Sequence, residues 1–150
     1  MALVGFSQTA QAATPRCTTN DLKATVHLDQ GSAGHVEGSI VLRNTSKQTC
    51  SVRGYPGVSF VDGDGHEIGP SAKRSGAGSV RTITLKPNKY AKAPLRVANV
   101  ANYDKDACEP VPANGFRVYP PDETKALYAP HKIKTCSTGI ERTATIGPLK

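Results

Sequence analysis

The sequence predicts an all-β fold, an antiparallel sandwich closed by two disulfides. Three observations carry the prediction. Apolar and polar residues alternate along several short stretches, the period of a half-buried strand. Gly (14) and Pro (11) punctuate all 150 residues and leave no long uninterrupted helical pattern. Four cysteines bracket the first and last predicted hairpins, Cys17 with Cys50 and Cys108 with Cys136. A chain of this length carries one domain with a real hydrophobic core. No stretch approaches the roughly 18 consecutive apolar residues of a membrane-spanning helix.

Residues 1–12 read as the end of a secretory leader, with the domain at 13–150. Leu3, Val4 and Phe6 supply an apolar run, and Ala10-Gln11-Ala12 has the small-x-small pattern of a signal-peptidase site. The basic start of such a leader is missing, which points to a shortened or misassigned beginning. Pro15 and Arg16 before Cys17 do not make a lipobox, so no lipid anchor is expected there.

Leu22–Leu28 and Val36–Leu42 alternate as two strands, joined by a turn at Gln30-Gly31-Ser32-Ala33-Gly34. Their predicted register sets Leu22 opposite Leu42. Asn44-Thr45-Ser46 matches a glycosylation sequon but reads as turn chemistry. Gly57–Val61 is a short apolar strand, and Asp62-Gly63-Asp64-Gly65 turns it into His66-Glu67-Ile68. Val80–Leu85 and Tyr90–Val97 read as a hairpin across Pro87-Asn88, the second strand at a sheet edge because of Pro94. Phe116 and Val118 open the last hairpin, Pro120-Pro121-Asp122-Glu123 turns it, and Leu127–Ile133 returns with Phe116 opposite Leu127. Ile140, Arg142, Ala144 and Ile146 suggest a closing strand.

Four cysteines allow three connectivities. Hairpin geometry selects Cys17–Cys50 and Cys108–Cys136, because each pair lies at the open end of its hairpin. Each crosslink contributes about 3.5–4 kcal/mol in the chain-entropy account. The cysteines include no close pair of the C-x₂-C kind, which argues against zinc.

The run Asn44-Thr45-Ser46, Thr49-Cys50-Ser51-Val52-Arg53-Gly54-Tyr55-Pro56-Gly57-Val58, Asp62-Gly63-Asp64-Gly65 and Ile68-Gly69 resembles a known family. It is similar to the actinobacterial exported proteins grouped as domain of unknown function 4232. Leu85-Lys86-Pro87-Asn88 and Phe116–Pro121 extend the resemblance, with Asn88 where the family commonly has Gly. The resemblance implies an immunoglobulin-like sandwich, export and association with the cell envelope. It implies no catalytic residue. In the motif itself Pro56 fixes φ, Gly54 and Gly57 permit tight backbone, and Tyr55 is expected to bury its ring and pair its hydroxyl.

The net charge of +7 sits in one place. Lys73, Arg74, Arg81, Lys86, Lys89, Lys92 and Arg96 fall in a stretch without an acid, and the rest of the chain is balanced. A basic segment of this kind suits an anionic envelope polymer or an acidic protein, and it is equally the composition of a solvated face. Nucleic acid is disfavoured, since Tyr90 is the segment's one aromatic residue. The sequence therefore suggests a secreted or extracytoplasmic binding module without catalysis or cofactor. Two alternatives are a protease inhibitor presenting a rigid Lys/Arg loop and, more weakly, a copper site shared by His27 and His35. The Asp62–Glu67 run lacks the spacing of a calcium loop and reads as a hairpin turn. No G-x-S-x-G or Ser-x-x-Lys motif occurs.

Overall fold

The computed structural model describes residues 3–5, 13–29, 31, 34–76, 78–139 and 142–150. Most of the expected leader, the centre of the first turn and Ile140 lie outside the described residues. Among the described residues eleven strands are present: β1 (Leu22–Leu28), β2 (His35–Asn44), β3 (Cys50–Arg53), β4 (Gly57–Val61), β5 (Glu67–Ile68), β6 (Lys73–Arg74), β7 (Thr82–Leu85), β8 (Tyr90–Ala98), β9 (Pro110–Tyr119), β10 (Leu127–Cys136) and β11 (Ala144–Ile146). They form a five-stranded sheet in the order β1-β2-β8-β11-β6, a four-stranded sheet β10-β9-β4-β5 and a two-stranded sheet β3-β7. All pairings between strands are antiparallel except β11 with β6. The all-β, two-disulfide character follows the sequence; the immunoglobulin-like topology stays an expectation of the resemblance.

One core joins the sheets. Leu22, Ala24, Ile40, Leu42, Ala91, Ala93, Leu95, Val97 and Ile146 face it from the larger sheet, and Val58, Phe60, Phe116, Val118 and Ala129 from the four-stranded one. These are alternate residues of their strands, so the intervening ones face outward. Val52 and Leu85 add the two-stranded sheet, and Leu149 plugs the core from the last residues. The Phe60 and Phe116 rings meet at 4.9 Å between centroids, tilted 40° to each other.

Both disulfides form as the hairpin argument predicts, Cys17–Cys50 and Cys108–Cys136. The first ties the segment before β1 to the start of β3, whose Ser51 exchanges hydrogen bonds with Pro15 and Cys17. The second ties a short helix, α1 (Lys105–Cys108), to the end of β10.

Four details depart from the sequence expectation. Leu22 faces Asn44, not Leu42, so the first hairpin is displaced by two residues. Pairing extends past Leu28 because Asp29 N–H donates to the Glu37 carbonyl, and Gly38 permits the close approach: a Cβ there would lie 1.8 Å from the His27 oxygen. The last hairpin shifts similarly, with Leu127 opposite Val118.

The largest departure concerns β7 and β8, which do not form a hairpin. β7 pairs with β3 and β8 lies between β2 and β11. The turn between them is tied to the end of β2: Asn88 N–H donates to the Asn44 carbonyl, and Asn44 N–H donates to that of Lys89. Asn88 takes a left-handed φ of 69°, which asparagine tolerates better than most residues. The chain thus crosses between sheets instead of folding back. Nor is β8 an edge strand. Pro94 has no N–H, but the closing run bulges around it: Gly147 donates to the Pro94 carbonyl, and Lys92 and Lys150 exchange two backbone bonds.

At the other end, Glu123 fastens the β9–β10 turn to the N-terminal segment. Its carboxylate accepts from Thr19 N–H at 2.7 Å and from the Arg16 guanidinium at 2.9 Å. The Thr19 backbone bond, then Arg16, hold the carboxyl below its ordinary 4.5 against the opposing effect of desolvation. A folded value below the unfolded one stabilises the fold above about pH 4.5, and this is lost as pH falls through the folded value. Glu123→Gln is therefore expected to lower the urea midpoint at neutral pH and to match the wild type in strong acid. An equal deficit at both pH values would show that Glu123 acts through packing instead.

Candidate anion-binding face

The outward residues of the five-stranded sheet are ordered by its register. One row runs Lys23, Arg43, Tyr90; the next Thr25, Val41, Lys92; then His27, Ser39, Pro94; then Glu37, Arg96, Thr145, Lys73. Of the seven predicted bases, Lys92, Arg96 and Lys73 belong to this face. Lys86 and Lys89 stand in the turn that leads into Tyr90. Arg74 does not join them; it alternates to the other side, its guanidinium 5.1 Å from the Tyr55 ring centroid. Arg81 precedes β7 on the two-stranded sheet, near Arg53, which donates to Thr82 Oγ1. The predicted basic hairpin is thus divided between sheets because its two strands do not pair.

The face gains two bases that the charge count along the chain did not single out, Lys23 and Arg43. Both alternate outward in the predicted strands. The signal was present, but the neighbour was not: only the β2–β8 pairing sets Arg43 directly opposite Tyr90. Arg43 lies 5.0 Å from the Tyr90 ring centroid and donates to the Asn88 carbonyl at 2.6 Å. Lys92 Nζ lies 5.5 Å from the same centroid. Cations over an aromatic face are attracted by its quadrupole, at about 0.5–1 kcal/mol when exposed.

Charge on the face is uneven. Glu37 is its one acid in these rows and sits beside Arg96 at 3.9 Å and His35 at 3.2 Å. A guanidinium only donates, so His35 Nδ1 accepts from Arg96 at 3.0 Å, and Nε2–H faces Glu37. Lys23, Arg43 and Lys92, at the opposite end, have no carboxylate partner among the described residues.

The remaining candidates sit elsewhere. His27 faces Ser39 and His35 faces Ala98, so the first hairpin does not set the two histidines opposite one another. Asp62, Asp64 and His66 converge at the β4–β5 turn. There Asp62 Oδ1 accepts from the backbone N–H groups of Asp64 and His66 at 2.9 Å, the turn chemistry expected of the motif. The His66 backbone bond leads in lowering the Asp62 carboxyl below its ordinary value. Lys73 and Arg74 lie in a short strand paired with β11. Tyr55 Oη donates to the Ser75 carbonyl at 2.8 Å, as expected of a structural tyrosine. Adjacent grooves of about 390 and 310 Å³ share Gly31, Val36 and Ile133, and among the described residues neither is lined by a serine, threonine or cysteine.

Fold and face together define a disulfide-stapled all-β domain that presents one basic sheet surface. The chain matches the family described as Domain of unknown function (DUF4232) over residues 17–150, and it belongs to that family. No curated protein and no solved structure matches it. No helix among the described residues is long and apolar enough to cross a membrane. Two disulfides and no free cysteine are compatible with an oxidising compartment.

Proposed function

We propose that this protein is an exported, non-catalytic binding module of the cell envelope that contacts an anionic polymer through the outer face of its five-stranded sheet. The observation that carries the reading is the unneutralised group Lys23, Arg43 and Lys92, with Lys86 and Lys89 in the adjoining turn. A sheet surface whose bases outnumber its acids suits an extended polyanion, which releases counterions as its charges are neutralised. The leader-like residues 1–12 and the paired cysteines support export.

Retention on immobilised linear polyphosphate is expected to fall steeply as salt rises. Reversing Lys86, Lys89 and Lys92 to Glu should abolish most of it while leaving the thermal midpoint close to wild type, since all three side chains are exposed. Unchanged retention in that triple variant would refute the reading.

A further inference from the structure

Resting on that reading, we propose that Tyr90 is a positioning residue that holds Arg43 and Lys92 as a two-cation clamp for adjacent charges of one linear polyanion. Three observations converge on it. The ring has a cation at 5.0 Å and another at 5.5 Å from its centroid, so the two charges are separated by no more than those distances together. Arg43 is held a second time by the Asn88 carbonyl, which the left-handed turn directs at it. Tyr90 itself is 47% exposed, and its hydroxyl makes no hydrogen bond with the described residues. A ring in this position is not required for the core. It stabilises two long, flexible side chains that would otherwise lose rotamer freedom on binding.

The geometry also selects the ligand. Arg43 and Lys92 are diagonal neighbours on adjacent strands, roughly 7–8 Å apart at the backbone, and Lys23 stands directly across from Arg43, about 5 Å away. That sets three cations in a short ladder across adjacent strands. A single small anion can engage one rung. A linear polyanion engages all three, so its affinity rises with length.

The test compares Tyr90→Ala, Tyr90→Phe and Lys92→Gln for binding of long-chain polyphosphate, inorganic phosphate and poly-glutamate over a salt series. Tyr90→Ala is expected to weaken polyphosphate binding about two- to five-fold. Its salt slope should be unchanged, because no charge has been removed. Tyr90→Phe keeps the ring and should bind as the wild type does. Lys92→Gln should reduce the slope by about one. Wild-type binding of polyphosphate together with an unaffected Tyr90→Ala variant would overturn the clamp and leave the broader reading intact. Loss of binding in Tyr90→Phe equal to that in Tyr90→Ala would also overturn it. Equal affinity for inorganic phosphate and polyphosphate would overturn the ladder. Preference for poly-glutamate would replace the polymer by an acidic protein. If wild-type protein binds no polyanion, the reading beneath it fails as well.

Discussion

Replacing Phe116 by Ala is expected to cost about 3–5 kcal/mol of folding stability, enough to leave a domain of this size marginal or unfolded. Phe116 is 0% exposed, and its ring packs against that of Phe60 at 4.9 Å. It sits in β9, where it pairs with Phe60 of β4 on one side and Ala129 of β10 on the other. Removing the ring therefore empties the centre of the four-stranded sheet where it meets the larger one. On the β10 side Ala129 leaves little side chain to fill the gap. Phe116→Leu retains most of the volume and is expected to cost markedly less. Chemical denaturation of both variants checks this, and near-equal losses would show that the ring–ring contact, not volume, governs the site.

Asn44→Ala is expected to cost about 2–4 kcal/mol, and Asn44→Asp at least as much. Asn44 is fully buried, and its side chain makes four hydrogen bonds. Nδ2 donates to the carbonyls of Gln48 and Leu85, while Oδ1 accepts from the backbone and hydroxyl of Ser46. Its backbone meets the 86–89 turn as well, so one residue joins the end of β2, the loop to β3 and the crossover into β8. Alanine leaves polar partners unmet. Aspartate turns a second oxygen toward two carbonyls and buries a charge. A denaturation midpoint for Asn44→Asp near the wild-type value would contradict this network. The same bonds explain why the sequon reads as structure, since the amide nitrogen is committed within the fold.

Local patterning made much of the fold legible. β1 and β4 fall on the predicted residues, because strict alternation in one and a Gly-bounded apolar run in the other leave little freedom. The cysteine pairing was also legible, since an error of two residues in register still leaves each pair at a hairpin's open end. What alternation cannot show is which strand lies beside which. Val80–Leu85 and Tyr90–Val97 are adjacent in sequence and match as a hairpin, yet Asn44 holds their turn and sends β7 to β3. Pro94 was misleading for a related reason: the bulge at Gly147 that accommodates it lies far along the chain. A Cβ on Gly147 would stand 3.1 Å from the Pro94 ring, so glycine is what lets the closing run pass.

The same limit applies to the candidate site. The run from Lys73 to Arg96 located Lys92, Arg96 and Lys73 on one face but grouped them with Arg74 and Arg81, which the topology places elsewhere. Lys23 and Arg43 escaped notice because their surroundings in sequence are charge-balanced. Their surroundings in space are not, once β2 lies against β8. A charge asymmetry along the chain is thus a guide to a basic surface, and strand order decides its membership.

The most direct test of the account is a backbone amide NMR titration of the full chain with linear polyphosphate. The account predicts shifts concentrated at Lys23, Arg43, Lys86, Lys89, Tyr90 and Lys92, on β1, β2, β8 and the turn before β8, diminishing with salt. Shifts centred instead on Arg53 and Arg81 of the two-stranded sheet, or spread evenly over all exposed lysines and arginines, would contradict it.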